Sequence, residues 1–167
     1  VLMPTLDFIK RPTLWLDVMH RLKGTITFAP NFAYALLVKR VKEADLGRWD
    51  LSHVKTFGCG AEPIHAGTMR EFVDRFARAG LPRKALLPCY GMAEATLAMT
   101  FVDLEDELHV DTSDADGLEV VSCGRAMVGH EIGVFDAEGR RLPDRRVGEI
   151  RFRGPSVTAG YWRNREA

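Results

Sequence analysis

The chain has 167 residues, of which 46% are apolar and 28% charged, and its 23 basic side chains equal its 23 acidic ones. This composition is typical of a folded globular protein and excludes fibrous and disordered chains. Because the net charge is zero and no apolar run approaches the roughly 20 residues of a membrane-spanning helix, we expect no nucleic-acid partner and no stable membrane insertion. The N-terminal residues carry no secretion-signal pattern, so the expected location is cytoplasmic.

Residues 1–100 alternate helical and strand patterns. Apolar side chains recur at helical spacing over residues 14–22, and Gly24 predicts a left-handed helix end. Further patterns predict helices that begin at Asn31 and Thr68, and strands at residues 25–29, 54–59 and 84–88. Strands separated by helices of this length favour a parallel sheet with right-handed crossovers. The expected fold class is therefore α/β, with part of a doubly wound parallel sheet and flanking helices.

The pattern changes after residue 100. Residues 101–117 are rich in Asp and Glu and predict a solvated linker. Short strand patterns at residues 118–123, 131–136 and 148–153 are separated by turn residues, which predicts a mostly antiparallel β segment over residues 118–167. We expect this segment to belong to the same domain as the parallel layer.

Loops follow each of the predicted parallel strands, at residues 29–34, 58–63 and 88–94. In open α/β sheets ligands bind outside the carboxyl ends of the strands, so these loops form the candidate site. Gly58 and Gly60 expose main chain on which a flat ring can lie, but Pro63 occupies the place of the third glycine of a dinucleotide-binding fingerprint. A strained turn without a ligand is the alternative interpretation of the second loop.

Tyr90 and Glu94 add chemistry to the third loop. The phenol of Tyr90 offers a face for stacking, and the carboxylate of Glu94 is a ligand type that Mg²⁺ accepts near phosphates. Packing for Tyr90, and solvation or capping for Glu94, are the structural alternatives. The serines lack a nucleophile-elbow context, the histidines lack metal-ligand spacing, and the chain has no P-loop motif. We expect Cys59, Cys89 and Cys123 to be reduced and mostly buried.

Motif-like stretches occur along the chain in a characteristic order: residues 60–64 (GAEPI), residues 90–94 (YGMAE), residues 148–155 (GEIRFRGP) and residues 160–162 (GYW). In this order they resemble the G-A-E-P, Y-G-x-[TA]-E and G-E-[IL]-x-x-[RK]-G-P…G-Y-[WY] motifs of the adenylate-forming superfamily. That superfamily includes acyl-CoA synthetases, nonribosomal adenylation domains and luciferases. The similarity covers essentially the whole chain.

Further stretches are similar to the fatty acyl-AMP ligase branch of that superfamily. Residues 29–34 (APNFAY) match its P-N-F-A-Y stretch, residues 122–125 (SCGR) match part of its V-S-C-G-R run, and Ala93 to Thr96 matches the end of its Y-G-[LM]-A-E-A-T motif. Ala93 replaces the threonine that related synthetases direct at the α-phosphate. This implies that the contact passes to main chain or to Thr96. The branch-specific insertion of such ligases has no assigned position in this sequence: the acidic segment after Phe101 is shorter than the resemblance implies, and a position beyond Ala167 is the alternative.

The resemblance implies an AMP-forming ligase of fatty acid metabolism. Such an enzyme joins a long-chain fatty carboxylate to the α-phosphate of ATP, releases pyrophosphate, and transfers the acyl group to the thiol of an acyl carrier protein or of CoA. Its cofactors would be ATP and Mg²⁺. Because phosphoryl-type transfer leaves little covalent work for protein groups, catalysis would consist of positioning and charge neutralisation.

The resemblance also assigns roles to individual residues of this chain. The catalytic and Mg²⁺-binding residue would be Glu94, and Tyr90 would stack on adenine. The remaining nucleotide-binding positions would be Gly60, Ala61 and Glu62, which border adenine, together with Gly91, Met92 and Ala93. The acyl pocket would be bordered by Asn31, Phe32 and Tyr34.

Other parts of such an enzyme have no counterpart in these 167 residues. The resemblance places a phosphate loop before Val1, and the ribose-binding aspartate and the mobile domain with its catalytic lysine after Ala167. We therefore expect an internal part of the large N-terminal domain that forms no acyl-adenylate alone, and whose open strand edges favour self-association. The alternatives are an acyl-CoA synthetase of the same superfamily and, from another class, a noncatalytic nucleotide- or acyl-binding module.

Overall fold

A computed structural model of the chain describes residues 2–113 and 117–164. The described α-helices are α1 (Thr5–Lys10), α2 (Leu14–Leu22), α3 (Asn31–Arg40) and α4 (Ala66–Phe76). The described strands are β1 (Ile26–Ala29), β2 (Thr56–Cys59), β3 (Leu86–Tyr90), β4 (Thr100–Phe101), β5 (Val110–Thr112), β6 (Glu119–Val121), β7 (Arg125–Ala126), β8 (Glu131–Phe135) and β9 (Glu149–Arg153). Short 3-10 helices lie at Glu43–Arg48, Ala77–Ala79, Arg83–Ala85 and Ala93–Ala95.

The main sheet has five strands in the order β1-β2-β3-β4-β7. Strands β1, β2 and β3 run parallel, with Cys59 opposite Ala29 on one side and Pro88 on the other. Their carboxyl ends therefore share one edge. The predicted parallel α/β layer is confirmed, but β4 and β7 join it antiparallel, so the sheet is mixed. Because β7 comes from the segment predicted to be mostly antiparallel β structure, both halves of the chain contribute strands to one sheet.

Aromatic side chains form the centre of the core between the sheet and helices α3 and α4. Tyr34, Phe57 and Phe72 are completely buried. Phe72 meets Tyr34 at 4.9 Å between ring centroids and Phe57 at 5.3 Å, both edge to face. Trp15 of α2 meets Phe57 at 5.2 Å. This geometry is favourable for aromatic rings, and it fixes α2, α3 and α4 against β2.

The structure differs from the sequence-based prediction at the end of α2 and in the presence of α1. Lys23, not Gly24, adopts the left-handed conformation (φ 52°), and the backbone N–H groups of both residues donate to Met19 O. Gly80 does end the α4 region with φ 82°, as the pattern indicates. Helix α1 is absent from the prediction, because its six residues bury only Phe8 and so provide too little periodicity.

In the described part of the second half, two pairs of strands lie outside the main sheet. Strands β5 and β6 pair antiparallel, so the segment predicted as a linker contains a strand at Val110–Thr112. Strands β8 and β9 pair antiparallel over five residues each, at the positions where the sequence predicts strands. The longest described helix, α4, has 11 residues, and among the described residues no helix is long and apolar enough to cross a membrane.

Candidate functional site

A cavity of about 510 Å³ lies at the carboxyl edge of the parallel strands. Strand β1 and its loop contribute Phe28, Ala29 and Pro30, the loop after β2 contributes Gly60 and Ala61, β3 and its loop contribute Cys89, Tyr90 and Gly91, and Leu97, Ala98 and Phe101 complete the wall. The three loops that the sequence identified as candidates therefore meet around one mostly apolar space. This shape suits a flat ring with few polar groups.

Glycine is required at two positions of the wall because the backbone packs tightly. A Cβ on Gly60 would lie 2.8 Å from both Cys89 O and Cys89 Sγ. A Cβ on Gly91 would lie 1.8 Å from Leu97 O. Because Gly60 and Gly91 line the cavity and have no side chains, they can present only main chain to it.

Strained backbone occurs in two of the site loops. Ala61 has φ 69° and Thr96 has φ 67°, a region that costs a non-glycine residue about 1–3 kcal/mol. Such conformations persist only where surrounding contacts enforce them, and they concentrate at functional sites. Lys23 at the end of α2 also has positive φ, so the strain shows that tertiary contacts hold the loops after β2 and β3, and it does not by itself mark a function.

Glu62 and Asn31 join two loops of the site through reciprocal hydrogen bonds. The backbone N–H of Phe32 donates to Glu62 Oε1 at 2.7 Å, and the backbone N–H of His65 donates to Asn31 Oδ1 at 3.1 Å. The first bond also places a carboxylate at the N-terminus of α3, which is favourable for the helix dipole. The sequence predicted neither of these hydrogen bonds. The contacts of Glu62 with adenine and of Asn31 with the acyl chain remain predictions.

Tyr34 and Phe32 occupy different environments although both were predicted to border the acyl pocket. Tyr34 is fully buried, and its hydroxyl donates to Gly58 O at 2.7 Å. Burial, with the nearby thiols of Cys59 and Cys89, raises the pKa of Tyr34 well above its usual value. Tyr34 therefore presents no surface to a substrate in this structure. Phe32, in contrast, is 46% exposed.

Phe32 lines a second apolar cavity of about 470 Å³ beside β1. Its wall also includes Phe8 and Trp15, and the Phe8 and Phe32 rings meet edge to face at 6.3 Å. Residues 28–30 line both this cavity and the one that contains Gly60 and Tyr90. The two cavities therefore adjoin at the end of β1.

Glu94 lies in the 3-10 helix after β3 and is half-buried. The hydroxyl of Tyr161 donates to Glu94 Oε1, and this bond is the main reason that the pKa of Glu94 lies below its usual value. The backbone N–H of Thr158 donates to Glu94 O at 2.8 Å. Tyr161 belongs to the GYW motif at residues 160–162, and its contact with Glu94 has no local signal in the sequence.

Glu94 lines neither cavity, and it is the one carboxylate of residues 88–94 that could bind a divalent cation. Among the described residues, His, Cys, Asp and Glu form no group of three or more that could hold a metal ion. Mg²⁺ needs no such cage, because it commonly binds through one or two carboxylates plus substrate phosphates and water. Glu94 therefore fits as a single protein ligand. Met92 and Ala93, which precede it, are both exposed.

The cysteines near the site carry protonated thiols. Cys89 Sγ donates to Cys59 O at 3.4 Å, and Cys59 is 1% exposed. Burial raises the pKa of Cys59 to about 12, with further contributions from Cys89 and Glu62. A thiolate is the nucleophilic and redox-active form, so these thiols are poorly suited to such chemistry.

Comparison with known proteins identifies the family. Residues 1–162 match the family model described as AMP-binding enzyme. The chain belongs to this family. It is 37% identical, over 182 aligned positions, to a putative acyl-CoA synthetase of Caulobacter vibrioides, an alignment that covers 99% of this chain and 32% of the relative. It is 32% identical to the long-chain-fatty-acid–AMP ligase FadD23 of Mycobacterium tuberculosis, with 97% of this chain and 30% of the relative covered.

Solved structures of AMP-binding enzymes share the fold. The fatty acyl-adenylate ligase from L. pneumophila, in complex with acyl adenylate and pyrophosphate, superposes with a TM-score of 0.89 at 31% identity. That comparison covers 98% of this chain and 31% of the ligase. The chain spans about a third of the length of the relatives it matches. The family that the motifs indicated is thus confirmed, as is its α/β fold.

Proposed function

We propose that this chain contributes the adenine-facing and acyl-facing parts of an AMP-forming ligase that activates a fatty acid. One observation carries the proposal: the loops after β1, β2 and β3 surround one cavity, and a second apolar cavity adjoins it at residues 28–30. A nucleotide and an acyl chain bound in the two cavities would bring the carboxylate to the α-phosphate. The ligase names of similar proteins agree with this reaction class.

In the first cavity, the proposed nucleotide contacts come from the Tyr90 ring and from the main chain of the loops after β2 and β3. Tyr90 would stack on adenine, with Gly60, Ala61 and Gly91 forming the facing main-chain surface. A carboxylate oxygen of the fatty acid then attacks the α-phosphorus of ATP, a P–O bond forms, and the bond to the pyrophosphate leaving group breaks. Because the protein supplies no covalent intermediate, its contribution is to hold both reactants in line.

Glu94 is the proposed ligand for Mg²⁺. When bound, the ion neutralises negative charge on the phosphate oxygens. A glutamate carboxylate is ionised at neutral pH. The hydroxyl of Tyr161 donates to it and lowers its pKa further. The contact to the α-phosphate that Ala93 cannot make falls to main chain in this proposal. Thr96 is the less suitable donor, since its Oγ1 already donates to Ser156 O at 2.7 Å.

In the second cavity, the acyl chain would lie against Phe32, Phe8 and Trp15. Each buried methylene would contribute about 0.8 kcal/mol, so an apolar wall of this kind favours long chains over short ones. The acceptor of the acyl group would be the thiol of an acyl carrier protein or of CoA. The similarity to FadD23 favours the AMP-ligase branch, and that to the Caulobacter protein favours the acyl-CoA synthetase alternative.

Calorimetric titration with ATP in the presence of Mg²⁺ tests the nucleotide site. We expect Tyr90→Ala to weaken ATP binding about tenfold, because base–aromatic stacking contributes about 1–3 kcal/mol. Trp162→Ala is the matched control, since Trp162 is an 87% exposed aromatic residue outside both cavities. Equal affinity of the Tyr90→Ala variant and the parent protein for ATP would contradict the proposed site.

A further inference from the structure

Residues 154–161, which follow β9, are hydrogen-bonded to the loop after β3 at three points. Thr96 Oγ1 donates to Ser156 O at 2.7 Å, and the backbone N–H of Thr158 donates to Glu94 O at 2.8 Å. The third bond runs from the Tyr161 hydroxyl to the Glu94 carboxylate. These contacts join residues that lie 60 to 67 positions apart in the chain.

On its other side, the 154–161 segment is hydrogen-bonded to His130, the residue before β8. His130 Nδ1 lies 3.0 Å from Val128 O, and His130 Nε2 lies 2.9 Å from Ser156 Oγ. A carbonyl oxygen only accepts, so Nδ1 carries the proton and Nε2 accepts from the serine hydroxyl. The imidazole ring also stacks on Phe152 of β9 at 5.2 Å. The 154–161 segment is therefore fixed to His130 on one side and to the Glu94 loop on the other.

The conformation of the Glu94 loop depends on these contacts. Thr96 has φ 67° and ψ −50°, which is an unfavourable backbone conformation for a β-branched residue. Local preference alone would not select it, so surrounding bonds must enforce it. The bond from Thr96 to Ser156 is one such restraint, and the bond from Thr158 to the Glu94 carbonyl is another.

We propose that Tyr161 is a positioning residue that orients the Glu94 carboxylate for a phosphate-bound divalent cation. The inference rests on the cation-binding role proposed for Glu94. Tyr161 touches Glu94 through its hydroxyl, and an outer partner of this kind limits the orientations of a ligand carboxylate before the cation arrives. Without it, the carboxylate would lose conformational freedom on binding, at a cost in affinity.

Cation titration of the ATP-bound chain tests the proposal, with Mn²⁺ as the probe and its electron paramagnetic resonance signal as the readout of free ion. Tyr161→Phe removes the hydroxyl and keeps the ring. Because Tyr161 is 54% exposed, this variant should keep the thermal midpoint of the parent protein. We expect its dissociation constant for Mn²⁺ to rise about tenfold, the size of effect seen when outer partners of metal ligands are removed. ATP affinity without a cation should stay unchanged.

Two further variants separate positioning from a general disturbance. In the Glu94→Gln background, adding Tyr161→Phe should change Mn²⁺ affinity by less than about twofold, since the hydroxyl acts through the carboxylate. Trp162→Phe alters the neighbouring aromatic residue and should leave Mn²⁺ affinity unchanged. Unaltered or tighter Mn²⁺ binding by Tyr161→Phe would overturn the positioning role of Tyr161 and leave the proposed function standing. The same holds if Tyr161→Phe weakens Mn²⁺ binding as strongly in the Glu94→Gln background as in the parent protein. If the parent protein shows no cation-dependent ATP binding, the proposed function fails together with the inference.

Discussion

Burial changes the acid–base chemistry of individual side chains in the core below the candidate site. Cys59 is an ordinary thiol in sequence, yet its position at the end of β2 raises its pKa from 9.0 to about 12. Tyr34 and Cys89 shift in the same direction for the same main reason. At the residue scale, this identifies a pH range in which the folded and unfolded chains hold different numbers of protons.

The free energy of unfolding should fall as the pH rises from about 9 to about 12. The unfolded chain loses the Cys59 proton near pH 9, whereas the folded chain keeps it to about pH 12, so the native state binds more protons in this range. Stability then decreases by up to about 1.4 kcal/mol per pH unit for this one group. Urea unfolding at a series of pH values measures the slope.

Cys59→Ala is the variant that isolates this contribution. Above about pH 9, the free energy of unfolding of this variant should fall less steeply with pH than that of the parent protein, by up to about 1.4 kcal/mol per pH unit. Tyr34 and Cys89 still contribute to the remaining slope. Near neutral pH the difference in stability between the two proteins should not depend on pH. If the free energies of unfolding of the two proteins fell equally with pH through the alkaline range, the pKa of Cys59 would not be raised in the folded protein.

At the scale of elements, the start of α3 and the loop after β2 depend on each other. Glu62 accepts from the first turn of α3, and Asn31 at the start of α3 accepts from the backbone of His65. The residue before α3, Pro30, makes no side-chain capping bond. A carboxylate from a loop 30 positions away in the chain therefore replaces the usual local cap.

Glu62→Ala should destabilise the protein by about 1 kcal/mol, the typical loss for a helix cap. Glu62→Gln keeps the acceptor oxygen and loses only the charge at the helix N-terminus. Its free energy of unfolding should therefore fall by only about 0.3–0.5 kcal/mol. Urea unfolding of both variants at neutral pH makes the comparison. The interpretation is wrong if the alanine and glutamine variants unfold at the same denaturant concentration.

In the whole molecule, β1 is the terminal strand of the main sheet, and among the described residues it pairs only with β2. Apolar side chains around it are exposed, among them Leu22, Ile26, Phe28 and Phe32. The strand contains neither proline nor a charged residue, the features that normally protect a free edge. An open edge with an apolar surround is a surface on which a second chain can pair.

The 167-residue chain should therefore self-associate with rising concentration, as sedimentation velocity can record. Ile26→Lys places a charge on β1 and should raise the concentration needed for association at least about tenfold, because two like charges would meet at the paired edges. Val128→Lys, at a fully exposed position away from β1, is the matched control and should associate like the parent chain. Identical sedimentation of both lysine variants would exclude the β1 edge as the contact.

Local pattern in the sequence determined the alternation of helices and strands, the loops at the carboxyl ends of the strands, and the motifs that identify the AMP-binding family. Helical spacing and strand composition are short-range properties, so they can be recognised without coordinates. The same is true of GAEPI and YGMAE, whose residues are adjacent.

Which side chains meet depends on the tertiary structure. It buried Tyr34 against Gly58, joined Glu62 to α3, and brought Tyr161 to Glu94, pairs that lie 24, 30 and 67 positions apart. It also added β4 and β7 antiparallel to the parallel strands. Contacts of this kind arise from the packing of complete elements, and a single sequence holds no local signal for them.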